Sequence, residues 1–408
     1  MKHISKFLIL VFTFIYIYTP PLCIWPTQID VLIYIVFAFL IVAYKCNPWS
    51  ALKVGGIKTS FNIMLVLLLF SICWTLANPP SIGITDLNPV RILRLIIEVL
   101  FFPFILVSVC LKEGITQRQM IYGLIYLAIF QAYISVLMIF IPPIKDFVTT
   151  YIIQFGENNK LTAETLFTSR VWGIGSEYLF ALPIFQAMMT CVYISFHEKK
   201  NILFYFNLFC LIASAIFCAR TSILVLLGYF IYYSVKNIKK HFITTLLLII
   251  LVPVVIWYAF QNLLSIDDIV AINQFNRAFN GEYQGYDSLF DSMLFFPDDI
   301  STWIIGNGTY AFFAQRNSDL GYVNDIFFGG LVYLLLEILS LYPLYKRTGR
   351  ANVLSNVMPF LFLILLVIHY KGSIYLANDF MKGLFLLYYI AFFNLNKSIS
   401  TPKKSIQF

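Results

Sequence analysis

Two arginines stand where apolar stretches of this chain begin, and arginine is well suited to binding phosphate. Arg170 lies in Thr-Ser-Arg-Val-Trp-Gly-Ile-Gly before one such stretch, and Arg220 lies in Cys-Ala-Arg-Thr-Ser between two others. The planar guanidinium can make two parallel hydrogen bonds to phosphate oxygens, so an anionic lipid headgroup is the natural functional ligand. The alternative for Arg220 is that its side chain only extends from a helix end to the membrane surface.

Three charged residues occur together in another apolar stretch. Arg91, Arg94 and Glu98 are spaced by three and four positions, which places them on one face of a helix. A carboxylate within a membrane helix is costly unless it is paired, so the first interpretation is a structural charge pair turned toward the helix bundle. The alternative is that Arg91 and Arg94 contribute to a phosphate-binding cavity. Glu337, in a later apolar stretch, is equally costly and receives no role.

Carboxylates beside apolar stretches are the candidates for accepting a proton. Asp319 lies in a Ser-Asp-Leu-Gly-Tyr sequence immediately before an apolar stretch, and it is the first choice for a general base. Glu177 begins the apolar stretch that follows Arg170, and it is the reserve. Arg277 and Arg316 share a long polar segment with Asp319 and are further candidates for binding phosphate.

The elements that must position these residues are membrane helices. Hydrophobic residues make up 60% of the 408 residues and charged residues 12%, and the mean hydropathy is +0.82. No soluble domain of this length could bury so much apolar surface. About 12 stretches approach the roughly 20 residues that cross a bilayer, at about 7–25, 29–44, 61–77, 90–111, 120–141, 178–196, 202–217, 221–235, 242–260, 326–345, 353–369 and 379–394.

The distribution of basic residues predicts the orientation. With the amino terminus inside, most of the 28 lysines and arginines fall in short loops and tails on the inner side. The positive-inside rule therefore places both termini in the cytoplasm. The net charge of +8 follows from this topology, and no nucleic-acid-binding motif accompanies it. We expect one integrated membrane domain over 1–408, all α-helical, with outward inserts at about 142–177 and 261–325.

No residue pattern predicts a metal or a cofactor. The seven cysteines are scattered in or beside apolar stretches without a Cys-x-x-Cys pair, which is typical of small buried hydrophobic residues. Of the four histidines, His3, His197 and His241 fall in inner loops, and His369 alone reaches the outer boundary of a stretch. Histidine-based metal catalysis is therefore not expected.

The order of these motifs resembles the O-antigen polymerase family, within the superfamily of O-antigen polymerases and ligases. The resemblance covers about residues 165–340 and is carried by five short sequences: Arg170-Val-Trp-Gly173 leading to Ala181, Ala219-Arg220-Thr221-Ser222, Ile305-Gly306-Asn307-Gly308, Ser318-Asp319-Leu320-Gly321-Tyr322 and Gly329-Gly330-Leu331. It implies a GT-C-like polytopic protein of the bacterial inner membrane, with a large periplasmic loop between helices 9 and 10.

The resemblance also implies an activity and partners. The substrates would be oligosaccharide repeat units on undecaprenyl pyrophosphate, joined at the periplasmic face into O-antigen or a related surface polysaccharide. Membrane lipids, a chain-length regulator and a flippase of the same pathway would be its partners. Arginines could neutralise the pyrophosphate leaving group without a metal, and a carboxylate could take the proton of the attacking hydroxyl.

Two alternatives remain at this point. O-antigen ligases usually carry a functional histidine where the large outer loop meets the next helix, and this loop contains none, which favours a polymerase. A flippase or transporter of lipid-linked oligosaccharides would share the span number and the need for interior arginines. Such transporters usually show related halves, broken helices and short loops, whereas this sequence shows no evident half repeat.

Overall fold

The computed structural model describes residues 2–22, 29–78, 88–153, 173–175, 181–197, 201–218, 221–236, 294–308, 318, 320–351, 353–373, 375 and 378–393. Regular structure in these residues is helical, apart from one isolated β-bridge between Leu22 and Ile153. The α-helices are α1 (Lys2–Tyr18), α2 (Ile29–Ala43), α3 (Ile57–Ala77), α4 (Asn88–Arg94), α5 (Phe102–Lys112), α6 (Gln117–Phe140), α7 (Pro142–Phe147), α8 (Ala181–Phe196), α9 (Ile202–Cys218), α10 (Thr221–Lys236), α11 (Ile300–Ile305), α12 (Gly321–Thr348), α13 (Met358–Ile368) and α14 (Asp379–Phe392).

Among the described residues, four helical segments are long and apolar enough to cross a membrane: α3, the continuous segment Asn88–Lys112, α6 and α12. Shorter apolar helices, among them α8, α9, α10 and α13, accompany them. Large apolar side chains face outward, such as Leu76 of α3 and Ile202 of α9, as expected where lipid replaces water as the solvent. The prediction of an all-α membrane protein agrees with this architecture, and the count of about 12 spans stays a prediction.

Local sequence explains several helix ends. The stretch expected at 7–25 is helical only to Tyr18 in α1, because Thr19 adopts a φ of 37° and two prolines without N–H donors follow. Helix α14 begins at Asp379, where the Asn378 side chain accepts a hydrogen bond from the backbone N–H of Met381 at 2.9 Å. The stretch expected at 242–260 lies outside the described residues.

The segment Asn88–Lys112 is not a uniform α-helix. Between α4 and α5, residues Leu95–Phe101 form a π-helix, in which each turn holds more residues than in an α-helix. Pro103 at the start of α5 lacks an N–H group. Glu98, the carboxylate of this segment, lies within the π-helix and is buried. A π-helical turn changes the direction of the side chains that follow it, so spacing in the sequence does not fix which residues of α4 and α5 share a face.

Helix α12 is broken near its middle. Gly330 adopts a φ of 67° and a ψ of −166°, which divides the helix into a first half before Gly330 and a second half after it. The freed carbonyls find donors in the chain that follows α11: the N–H groups of Asn307 and Gly308 donate to the carbonyls of Phe327 and Phe328 at 2.8 and 3.0 Å. The indole of Trp74, on α3, also donates to the Phe328 carbonyl at 2.8 Å.

The described chain divides into two units. The first comprises Met1–Thr19, Gln28–Leu127 and Met293–Phe408, and the second comprises Pro20–Thr27 and Ala128–Ser292. Helix α12 packs against α3 and α11 within the first unit, and α8 packs against α9 within the second. The expectation of one integrated domain over the whole chain stays a prediction.

Glu113 ties three helix ends together within the first unit. Its carboxylate accepts hydrogen bonds from Ser5 Oγ at 3.0 Å and from the Tyr44 hydroxyl at 2.7 Å, while Lys112 Nζ donates to the Tyr44 carbonyl. The hydrogen bond to Glu113 raises the pKa of Tyr44. The start of α1 and the ends of α2 and α5 therefore lie together, and the side of the membrane on which they lie stays a prediction.

Candidate functional site

Six of the eight residues predicted to act on substrate lie outside the described residues, and these are Arg170, Arg220, Arg277, Arg316, Glu177 and Asp319. Arg91 and Arg94 are described and belong to α4. The structure does describe residues close to three of these six candidates, which are Arg170, Arg220 and Asp319.

Gly173, which ends the Arg170 motif, packs within the second unit against two buried polar side chains. Its φ is +67°, and an added Cβ would lie 2.6 Å from Gln131 Nε2 and 2.8 Å from Ser135 Oγ. The Gln131 side chain also accepts a hydrogen bond from the N–H of Ile174 at 3.3 Å. The close approach and the positive φ explain why the motif has glycine at this position.

The residues after Arg220 are equally well anchored. Helix α10 begins at Thr221, the next residue, and the buried Ser222 hydroxyl donates to the carbonyl of Ala215 on α9 at 2.8 Å. The start of α10 therefore contacts the preceding helix, α9. The contacts of the Arg220 side chain itself lie outside the described residues.

The residues on both sides of Asp319 are also held in place. Ser318 is fully buried, its hydroxyl accepts from the N–H of Leu320 at 3.2 Å, and its carbonyl accepts from Asn324 Nδ2 at 2.9 Å. Gly321 approaches the backbone after α13 so closely that a Cβ would lie 2.5 Å from the His369 carbonyl oxygen. The Ser-Asp-Leu-Gly-Tyr sequence thus joins the start of α12 to the end of α13.

Close to the contact between the start of α12 and the end of α13, three titratable side chains of the first unit meet. Asp325 comes from the first half of α12, Glu337 from its second half, and His369 from the residue after α13. His369 Nε2 lies 2.5 Å from Asp325 Oδ2 and 3.9 Å from Glu337 Oε2. All three side chains are buried, with 2 to 4% of their surface exposed. We call Asp325, Glu337 and His369 the α12–α13 cluster.

Neighbouring aromatic groups enclose the α12–α13 cluster. The ring of Tyr322 meets the His369 ring edge to face at 4.5 Å, and its hydroxyl donates to the Leu366 carbonyl at 2.5 Å. One turn beyond Glu337, the Ser340 hydroxyl donates to the Glu337 carbonyl at 2.7 Å and lies 2.6 Å from the Tyr375 hydroxyl. These contacts fix the helix backbone and the imidazole, so the polar atoms of the three side chains are held in a limited volume.

A second buried polar group surrounds Glu98. The carboxylate accepts from Arg94 Nε at 2.9 Å and from the Tyr34 hydroxyl at 2.9 Å, and Lys382 Nζ of α14 lies 3.4 Å away. Arg94 also reaches Asp30 at 3.2 Å. The predicted charge pair between Arg94 and Glu98 is therefore confirmed. The structure adds Lys382, which the sequence did not connect with Glu98.

Arg94 is half exposed, while Glu98 and Lys382 are buried. Both basic groups contact the same carboxylate, so much of their charge is already compensated within the protein. The ammonium of Lys382 lies 5.5 Å from the centre of the Tyr16 ring, which adds a cation–π contact. These contacts support a structural role, and a role for Arg91 and Arg94 in binding phosphate stays a prediction.

Asp299 begins α11, outside the membrane-spanning helices. Its carboxylate accepts hydrogen bonds from the Ser301 hydroxyl and from the N–H of Thr302, the latter at 2.8 Å. These bonds, with that of Ser301 contributing most, lower the pKa of Asp299 to about 2. The short helix that leads to Gly306 is therefore capped at its first residue.

Sequence reasoning missed the α12–α13 cluster because its members are separated along the chain. The sequence gives Glu337 no role and places His369 at the outer boundary of an apolar stretch. One signal was present: each is a titratable residue in or beside an apolar stretch, where its cost calls for a partner. Pairing them required the break at Gly330 and the packing of α12 against α13.

Comparisons of this chain with protein-family models, curated proteins and solved structures found no match.

Proposed function

We propose that this protein is a membrane glycosyltransferase that polymerises oligosaccharide repeat units carried on undecaprenyl pyrophosphate. One observation carries the proposal. The separate family-like sequences at Gly306–Gly308, Ser318–Tyr322 and Gly329–Leu331 converge on one helix, α12, and its surroundings. A Cβ on Gly306 would lie 2.3 Å from the Phe328 carbonyl oxygen, and one on Gly330 would lie 2.3 Å from the Ile304 carbonyl.

This mutual packing supports the resemblance because it gives the glycines of both sequences one shared physical purpose. Each glycine has a positive φ, and each allows the backbone of the other segment to approach. Residues that are separated in the sequence but required by one contact are expected when a motif is a true structural unit. The proximity of these segments in space therefore supports the interpretation that they belong to one motif.

The proposed reaction is a direct displacement. A hydroxyl oxygen of the acceptor sugar attacks the anomeric carbon of the donor, and the bond from that carbon to the pyrophosphate oxygen breaks with inversion. Arg170 and Arg220 hold the pyrophosphate and stabilise its developing charge. Asp319 accepts the proton of the attacking hydroxyl, with Glu177 as the second candidate. Arg277 and Arg316 are further candidates for contacts to the substrate.

The experiment is complementation of a strain that lacks the gene, followed by electrophoresis of its surface glycan. A single repeat unit in the deletion strain, with long polymer restored by the wild-type protein, is the expected result. Arg220→Ala should abolish long polymer at matched expression, and Arg220→Lys should restore it only in part because ammonium makes no bidentate contact. Full polymer length in Arg220→Ala would reject a role in binding pyrophosphate.

Asp319→Asn tests the proton acceptor. A carboxylate that acts as a base cannot be replaced by its amide, whereas an aspartate that only forms a turn tolerates asparagine. Glu177→Gln is the matched comparison. Normal polymer length in both variants would reject catalysis by either carboxylate.

Two observations favour alternatives that the same gel distinguishes. His369 lies against Tyr322 and Gly321 at the start of α12, which favours a ligase because ligases usually carry a functional histidine where the large outer loop meets the next helix. Helix α12 is broken between two buried carboxylates, which is common in transporters. Free polymer that is not joined to its acceptor would indicate a ligase, and loss of outer repeat units would indicate a flippase.

A further inference from the structure

We propose that Asp325, Glu337 and His369 bind a divalent transition-metal ion, with Zn²⁺ as the preferred ion. The site does not depend on the proposed glycosyl transfer. Its three ligating atoms, one imidazole nitrogen and one oxygen from each carboxylate, lie within 4.8 Å of one another. They come from both halves of α12 and from the end of α13, so the ion would join three chain segments.

The charge of the cluster is the first argument. If both carboxylates are ionised, they and the imidazole carry a net negative charge of at least one unit, even when His369 is protonated. Among the described residues, the ion pairs of Asp325 and Glu337 are with His369, and no lysine or arginine pairs with either carboxylate. Placing an ionised carboxylate within a bilayer is costly. A bound cation would offset this cost at both residues.

Glu98 provides the comparison within the same unit. It is as deeply buried as Glu337, yet Arg94 and Lys382 both lie within ion-pair distance of its carboxylate. The protein thus compensates one buried carboxylate with its own basic side chains. Within the described part of the chain, the α12–α13 cluster places two carboxylates beside a single imidazole, so a cation or protons would supply the additional positive charge.

The identity of the ligands is the second argument. An imidazole nitrogen combined with carboxylate oxygens suits Zn²⁺, whose catalytic sites often use three protein ligands and keep a fourth position open. Bonds of about 2.0–2.2 Å in tetrahedral geometry set ligand separations of roughly 3.3 Å. The separation of 3.9 Å between His369 and Glu337 is near this value. The separation of 2.5 Å between His369 and Asp325 must widen when the ion binds.

The first measurement is metal content of the full-length protein, purified in detergent through an affinity tag without histidine. After chelation and dialysis, the protein is titrated with Zn²⁺ in competition with a chromophoric chelator, and bound zinc is counted by mass spectrometry. We expect about one ion per chain. Less than about a tenth of an equivalent after titration would overturn the proposal and leave protons to neutralise the carboxylates.

Variants locate the ion. Glu337→Gln and His369→Asn should each weaken Zn²⁺ binding by at least tenfold, in line with the loss of one of three ligands. Two matched controls change the same residue types elsewhere: Glu98→Gln alters a buried carboxylate that already has basic partners, and His197→Asn alters a histidine of the second unit. Both controls should retain wild-type affinity. Unchanged affinity in Glu337→Gln and His369→Asn would reject this site.

A spectroscopic measurement on the wild-type protein covers the case in which the ligand variants fail to fold. Co²⁺ in place of Zn²⁺ should give absorption bands typical of a four- or five-coordinate site with nitrogen and oxygen ligands. Spectra of six-coordinate Co²⁺, or bands that indicate thiolate ligands, would contradict the assignment, because the three residues provide no sulfur and hold the ion in a buried site.

Discussion

Replacing Gly306 by alanine tests the packing that joins the α11 segment to the break in α12. Gly306 has a φ of 72°, and an added Cβ would lie 2.3 Å from the Phe328 carbonyl oxygen, 2.4 Å from its carbon and 2.5 Å from the Gly329 nitrogen. All three neighbours are backbone atoms, which cannot rotate away as a flexible side chain can. Either the two segments separate or the alanine strains the backbone.

The expected loss of stability has two parts. A positive φ costs an L-residue about 1–2 kcal/mol relative to glycine. Forcing a methyl group into a packed site costs about 1–3 kcal/mol more. The sum is a loss of about 2–5 kcal/mol in the free energy of unfolding. Separation of the segments would also leave the carbonyls of Phe327 and Phe328 without the donors of Asn307 and Gly308.

Two other glycines allow the backbone cost and the packing cost to be measured separately. Gly114 has a φ of 74° with no atom near an added Cβ, so Gly114→Ala should show only the backbone cost. Gly349 has a φ of −66° and equally open surroundings, so Gly349→Ala should be neutral or stabilise by up to about 1 kcal/mol. Equilibrium unfolding by SDS in mixed micelles measures all three variants. A loss in Gly306→Ala no larger than in Gly114→Ala would refute the proposed close packing.

Other contacts give further expected outcomes. Lys382→Met removes a buried cation from Glu98 and should destabilise the protein by about 3–5 kcal/mol, whereas the double variant with Glu98→Leu should recover much of this loss in the same unfolding assay. A stable single variant would show that Arg94 alone compensates the carboxylate. Asp299→Ala should increase amide exchange in α11, whereas Asp299→Asn should preserve the cap. Because the pKa of Asp299 is lowered to about 2 from 3.8, the carboxylate form stabilises α11 fully above about pH 4, and this contribution should be lost as pH falls through 2. Amide exchange in α11 that does not change across this range would contradict the capping contact.

Much of the helical architecture could be predicted because apolar stretches directly determine membrane helices. The stretch expected at 120–141 is α6, and that expected at 202–217 is α9, each to within a few residues. Hydropathy alone could not locate the end of α1, where two prolines stop the helix within an apolar sequence. It also could not show the break in α12, because the residues on both sides of Gly330 are apolar and a glycine pair is compatible with a continuous helix.

The polar contacts could be predicted only where they are local. Arg94 and Glu98 are four residues apart, so helical spacing was enough to predict their ion pair. Lys382 lies far away in the sequence, and its approach to Glu98 depends on the packing of α14 against the π-helical segment. Long-range packing likewise brings His369 to Asp325. Spacing in one sequence carries no information about such pairs.

The break in α12 lies between two buried carboxylates, and this has a testable consequence. Asp325 and Glu337 lie on opposite sides of the break at Gly330. The N–H groups of Asn307 and Gly308 donate hydrogen bonds to carbonyls of α12 at the same break. A bound cation and the α11 segment would therefore both constrain the break in α12. Changes in the free energy of unfolding add when two perturbed sites are independent, and they do not add when the sites share a structural element. The increase in the free energy of unfolding that Zn²⁺ causes should thus differ between Gly306→Ala and the wild-type protein by more than about 0.5 kcal/mol. The same unfolding assay measures this difference, with Gly114→Ala as the reference variant. Equal stabilisation in all three proteins would show that the cation and the glycine contact act on separate parts of the fold.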